Sequence, residues 1–186
     1  MEIQLAVPQH DAIALLKADH RKVEDLFAKS QAAKGASKKQ ELVTQICTEL
    51  TVHCIVEEEI FYPACQGKIE EPDLNEAYVE HDGAKVLIAE LEAGTPDQEF
   101  YDAKVKVLSE EIKHHVQDEE KPSEGVFAQA RGAGLDMNDL GARIVARKKE
   151  LMAQIEADGL PHPETRTFTG HELEQGAPVD EAAAEA

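Results

Sequence analysis

The chain has 186 residues, of which 38 are acidic and 19 basic, giving a formal net charge of −19 at pH 7. Such a surface repels phosphate backbones and anionic lipid headgroups, so neither nucleic acid nor a membrane surface is an expected partner. Aromatic residues make up only 4% and tryptophan is absent, a balance that suits one all-α domain better than a β-rich one.

No apolar run approaches the ~18 residues a membrane span needs, and the first dozen residues lack a basic start before an apolar stretch. A soluble, unexported, cytoplasmic protein is expected. Cys47, Cys54 and Cys65 are odd in number and lack CxxC spacing. They indicate neither a disulfide framework nor a thiolate zinc site, and they fit a reducing compartment.

In chain order, the first predicted helix runs from about Gln9 to Lys34 and stops at Gly35. The second opens at Ser37, with Gln40 at capping-box spacing, and ends near Tyr62, before Pro63. The third starts around Asp73, with Glu76 in the matching position, and stops at Gly94. The fourth opens at Thr95 with Pro96 at N1 and Gln98 at N3, and Pro122 and Gly125 end or kink it. A fifth covers about Asp136 to Ala157. Short linkers between long helices predict an up-down-up-down four-helix bundle with an additional C-terminal helix, spanning residues 9–157. Residues 158–186 carry too few large apolar side chains to offset ordering entropy and are expected to form a disordered acidic tail.

Three- and four-residue steps along each helix pick out the inward seam. Helix one gives Ile13, Leu16, His20, Val23 and Phe27; helix two gives Ile46, Leu50, His53, Glu57 and Ile60. Helix three gives Leu74, Tyr78, His81, Ala84, Ile88 and Leu91; helix four gives Val105, Leu108, Ile112, His115 and Glu119. Every bundle helix therefore has a histidine where Leu or Ile is expected, and two carry His-x-x-x-Glu, which stacks both side chains on one face. A buried carboxylate without a partner costs several kcal/mol, so this many polar groups in one seam demand compensation. Divalent or trivalent metal ions are the usual solution for His and carboxylate without thiolates; a metal-free hydrogen-bonded network is the other.

These residues resemble the hemerythrin-like HHE cation-binding family: His20 in LLKADHRKVEDLF, His53 and Glu57 in HCIVEEEIFYP, His81 in EHDGAKVL, and His115 with Glu119 in HHVQDEE. The resemblance covers about residues 11 to 156. It implies two non-haem iron ions, oxo- or hydroxo-bridged, with His20, His53, His81 and His115 as ligands and Glu57 and Glu119 bridging. The oxygen-carrying hemerythrins have a His-x-x-x-His pair on helix three, whereas here Ala77 and Lys85 flank His81 at both four-residue offsets. The pattern is similar instead to the branch associated with peroxide, nitric oxide or iron handling.

On that implied ligand set, two coordination positions stay open. Shared one per iron, they suit a small peroxide or diatomic ligand, and catalase-like peroxide decomposition in oxidative stress is the leading expectation. The alternative is an iron, oxygen or nitric oxide binding or sensing module without turnover; a colourless structural zinc site is a third outcome. Glu24, four residues after His20, and Tyr78, one turn before His81, are candidate extra ligands. Glu58, Glu59 and Glu120 point off the seam, as surface groups or as hydrogen-bond partners of the ligands. His114, rotated about 100° from His115, is expected outside the ligand set. His10, His162 and His171 have no assigned role.

Overall fold

The computed structural model describes residues 10–168, and every regular element among them is helical. Helix α1 (Ala12–Ala32) begins where the Asp11 carboxylate accepts the Ala14 amide proton at 3.0 Å. Gly35, at φ 92°, turns the chain into α2 (Ala36–Val56), so the helix starts one residue ahead of Ser37 and the predicted Ser37 cap does not form. A π-helical turn (Glu57–Phe61) then leads into α3 (Tyr62–Cys65).

The expected stop before Pro63 is therefore corrected. Pro63 has no amide proton to give to a carbonyl one turn back. The wider turn removes the conflict: the Tyr62 amide reaches back five residues to the Glu57 carbonyl, and Pro63 falls in the first turn of the next helical piece, where no such bond is required.

Helix α4 (Glu71–Glu92) also starts earlier than predicted, because Pro72 sits in its first turn with φ already set for a helix. The Thr95 to Gln98 pairing exists, with the Thr95 amide donating to Gln98 Oε1 at 3.2 Å, yet it closes a turn and not a helix. Two further turns, Gln98 N to Thr95 O and Tyr101 N to Gln98 O, carry the chain to Tyr101, whose 2%-exposed ring anchors the start of α5 (Tyr101–Glu119). After Pro122 comes α6 (Val126–Gly132), which the sequence reading did not predict; seven residues are too short to display a helical period. Helix α7 (Met137–Asp158) is capped by Asp136, which accepts from the Asn138 and Asp139 amides.

Helix α1 packs on α2, α2 on α4, α4 on α5 and α5 on α1, closing a ring; α7 lies outside against α1 and α2. At Gly141 the α7 backbone meets the His10 carbonyl so closely that any side chain would collide with it.

The core has two apolar clusters, and α1, α2 and α4 each pass between them at their histidine, as α5 does together with the start of α6. Leu16 and Val23 flank His20, Val56 and Leu50 flank His53, and Ala77 and Ala84 flank His81, the first of each pair in one cluster and the second in the other. Ile112 precedes His115 from the second cluster, and Val126 follows in the first. The polar layer is thus enclosed by hydrocarbon at both ends.

Residues 159–168 are extended but held: Asp82 Oδ2 accepts from the Arg166 amide at 2.7 Å, the Thr167 amide at 2.6 Å and Thr167 Oγ1 at 2.8 Å. Low apolar content was compensated by a buried carboxylate collecting backbone donors. Residues 169–186, and His171 among them, lie outside the described residues. Among the described residues no helix is long and apolar enough to cross a membrane.

Candidate metal centre

The six seam residues His20, His53, Glu57, His81, His115 and Glu119 converge, and all are at most 4% exposed. His20 Nε2 lies 3.1 Å from His53 Nε2, and His81 Nε2 lies 3.3 Å from His115 Nε2. Glu57 Oε2 stands 3.1 Å from His53 Nε2 and 3.3 Å from His81 Nε2. Glu119 Oε2 stands 3.5 Å from His20 Nε2 and 3.6 Å from His115 Nε2. Two donor sets of metal-binding size result, His20, His53, Glu57 and Glu119 in one and Glu57, His81 and His115 in the other, with Glu57 shared.

These side chains fit cations better than they fit each other. Glu57 Oε1 and Glu119 Oε2 are buried without any hydrogen-bond partner. A native interior rarely leaves carboxylate oxygens so, because each forfeits its hydration uncompensated. Four inward imidazole nitrogens, two shared carboxylates and no thiolate suit intermediate metals of the iron or zinc kind.

A second ring of carboxylates orients the first. His20 Nδ1 faces Glu120 Oε1 at 2.8 Å, His53 Nδ1 faces Asp19 Oδ2 at 3.4 Å, His81 Nδ1 faces Glu58 Oε1 at 3.0 Å, and His115 Nδ1 faces Glu80 Oε2 at 2.8 Å. A carboxylate at Nδ1 holds the proton there and turns the Nε2 lone pair inward, the tautomer a ligand needs. Asp19 and Glu80 were missed by the sequence reading, but a signal for them exists. Asp19-His20 and His53-x-x-x-Glu57-Glu58 are repeated as Glu80-His81 and His115-x-x-x-Glu119-Glu120, with the histidines of each half 33 and 34 positions apart. In both halves the acid before the first histidine serves the second histidine, and the acid after the seam glutamate crosses to the other half.

The sequence profile of the hemerythrin HHE cation binding domain matches residues 11–122. The chain belongs to that family. The crystal structure of an HHE cation binding domain-containing protein from Mycobacterium kansasii shares the fold, with a TM-score of 0.65 and 17% identity over 80% of this chain and 94% of that one. A protein of Nostoc sp. (strain PCC 7120) named DNA nickase is 33% identical over 106 residues, which are 57% of this chain but only 30% of that protein.

Within this HHE domain the side chain nearest both seam carboxylates is one the sequence reading passed over. The Tyr62 hydroxyl lies 2.9 Å from Glu119 Oε1, 3.1 Å from Glu57 Oε2 and 3.2 Å from His81 Nε2, fully buried. The π-helical turn places it there, since one extra residue per turn aligns positions i and i+5, here Glu57 and Tyr62. Tyr78, the predicted candidate, packs its ring on Tyr62 at 5.2 Å and under Arg166 instead. Glu24 is half-exposed and pairs with Arg21 at 3.4 Å, away from the HHE centre. His114 is exposed, as expected. Cys47, Cys54 and Cys65 are buried and unpaired.

The buried charges of the HHE centre shift one another's proton affinities. Burial and the neighbouring His53 lower His20 to about 4. Burial opposes a charge on His53 as well, but Glu57 and Asp19 outweigh it and raise that ring to about 10. Burial lowers His115, whereas His81, against its own burial, is held well above its ordinary value by Cys54, Glu57 and Glu58. In each Nε2 pair the two rings are thus driven in opposite directions. Against its burial, Glu57 is held well below the usual carboxylate range by His53 and His81, whereas burial and the Glu57 charge push Glu119 well above it.

Proposed function

We propose that His20, His53, Glu57, His81, His115 and Glu119 hold two non-haem iron ions and that the protein handles peroxide in a catalase-like way. The observation that carries this reading is the pair of unpartnered buried oxygens, Glu57 Oε1 and Glu119 Oε2, among four inward Nε2 atoms. The alternation of the two apolar clusters along successive helices supports the up-down-up-down order such a centre needs.

Two bound irons supply the paired one-electron changes by which one peroxide is reduced to water and a second is oxidised to dioxygen. The chain's own groups supply the rest. Glu57 and Glu119, each flanked by histidines from two helices, would hold the metal together with those histidines. The Tyr62 hydroxyl stands between them as a proton donor, its pKa raised by burial and by Glu119 and Glu57, so it stays protonated until a stronger base draws on it. The apolar clusters on either side exclude bulk water. A cavity of about 570 Å³ reaches His115 and Glu119 and is wide enough for a small polar ligand.

The net charge of −19 opposes a DNA partner, whatever the Nostoc relative does with the remainder of its length. Reversible binding or sensing without turnover is the second reading. It is favoured by the 159–168 segment, which links the hydrogen-bond partner of His81 to the surface through Arg166 and Glu58 at 3.1 Å.

Metal analysis and an optical spectrum of aerobically purified protein test the cofactor: iron at two per chain with near-ultraviolet charge-transfer bands is expected, and zinc or no metal rejects iron. Oxygen evolution from hydrogen peroxide tests the activity. A rate no higher than that of free iron rejects catalase-like turnover and leaves the binding reading.

A further inference from the structure

Three of the four carboxylates that hold the Nδ1 atoms carry a permanent cation on their outer side. Asp19 pairs with Lys148. Glu58 pairs with Lys85 at 2.7 Å and Arg166 at 3.1 Å. Glu120 pairs with Arg21 at 2.6 Å and Lys17 at 3.4 Å. The fourth, Glu80, has no lysine or arginine within ion-pair distance among the described residues; its neighbour is His114 at 3.5 Å.

What surrounds Glu80 instead is more negative charge. Ligand atoms of Glu76, Glu80, His114 and Asp118 lie within 4.8 Å of one another, a spacing one cation can span. Burial and the Glu80 charge together raise the Glu111 carboxyl above its ordinary value. Glu76, Glu80 and Asp118 of this group stand on the wall of the 570 Å³ cavity, whose other charged lining residues include Glu70, Asp73 and Glu124 against the one Lys121. His115 and Glu119 line the same cavity. Glu119 is 1% exposed, and its Oε2 is one of the two oxygens left without a partner. The cavity therefore joins an outer set of cation-ligating atoms to Glu119 and His115 of the buried centre.

We propose that this acidic cavity is the path by which divalent metal reaches the buried centre, with Glu76, Glu80, His114 and Asp118 as an outer transit site. The inference rests on the metal-centre reading above. Clustered like charges on a low-dielectric wall concentrate cations and raise their arrival rate, by factors of about 10 to 1,000. The outer group is exposed and mixes three carboxylates with one imidazole, so it is placed to hold a hydrated divalent ion briefly. Glu80 then connects it to the interior, because the same carboxylate faces His115 Nδ1.

The test is stopped-flow uptake of cobalt(II), a redox-silent probe, by the full metal-free chain, read from the visible absorption of the filled centre. Glu76→Gln with Asp118→Asn removes two exposed charges and leaves the buried ligands alone. At low ionic strength this double variant is expected to load at least about tenfold more slowly and to the same end point. A control pair on other exposed acids, Glu99→Gln with Glu156→Gln, lowers the net charge equally and should load at the wild-type rate. Equal rates for wild type and the cavity variant overturn the path while leaving the buried centre intact, and so does equal slowing in the control. Wild-type protein that never develops the absorption overturns the metal-centre reading itself.

Discussion

Tyr62 and Glu119 meet at 2.9 Å in the fully buried centre of the bundle, although 57 residues separate them in the chain. Replacing Tyr62 with Phe keeps the ring contacts with Phe61 and Tyr78 and removes only the hydroxyl. Metal-free protein should then lose about 1–3 kcal/mol, the cost of leaving buried partners unsatisfied. If the hydroxyl supplies a proton during peroxide turnover, activity per bound iron should fall by about 100-fold or more. Denaturant titration of the stripped protein and oxygen evolution by the loaded one measure the two effects separately; activity per iron equal to wild type removes Tyr62 from the chemistry.

The contrast between Tyr62 and Tyr78 shows how far the sequence was legible. A regular helical count puts Tyr78 on the seam and Tyr62 at its end, and the count fails because one π-helical turn adds a residue between Glu57 and Tyr62. The six seam residues were readable because each stands at a heptad-like position where only hydrocarbon belongs, and one such exception in every helix is hard to produce otherwise. Asp19 and Glu80 sit one position off the seam, where a carboxylate is ordinary. Only the repeated order of acid, histidine and paired glutamates marks them. Helix starts were less legible because Gly35, Pro72 and the buried Tyr101 ring, not the nearest cap residue, decided where the backbone turned.

Glu58 receives His81 Nδ1, Lys85 and Arg166 together, so the segment after Gly159 bears on the orientation of one inward histidine. Glu58→Ala should weaken metal binding by about 10- to 100-fold, the usual effect of removing a ligand's hydrogen-bond partner. Arg166→Ala should weaken it less, since Lys85 still holds Glu58. Competition with a chelator of known affinity measures both. The same affinity in all three proteins shows that His81 is oriented without Glu58.

Gly141 is fixed by the approach of α7 to the His10 carbonyl. Gly141→Ala would force α7 away from the start of α1, and overpacking of this kind costs about 1–3 kcal/mol. For a domain of this size each kcal/mol lowers the midpoint by about 2–4 °C. Thermal unfolding followed by circular dichroism should show that decrease without loss of helical signal at low temperature. An unchanged midpoint shows that the contact relaxes freely.

Metal uptake should displace the protons that hold the empty centre together. His53 is raised to about 10, and His81 and Glu119 are both held well above their ordinary values when no cation is bound, whereas ligands bind as neutral imidazole and ionised carboxylate. Filling the centre should therefore release protons, His53 supplying one, and apparent affinity should rise with pH. An indicator dye in weakly buffered solution counts them during cobalt titration; no release contradicts this protonation pattern. The metal-free protein should have a second pH signature from His20, whose folded value of about 4 lies below its ordinary 6.5. A base held neutral by the fold contributes its stability above 6.5 and loses it as pH falls toward 4, amounting to about 3 kcal/mol. Denaturant midpoints of His20→Gln should decline less over that window than the wild-type values.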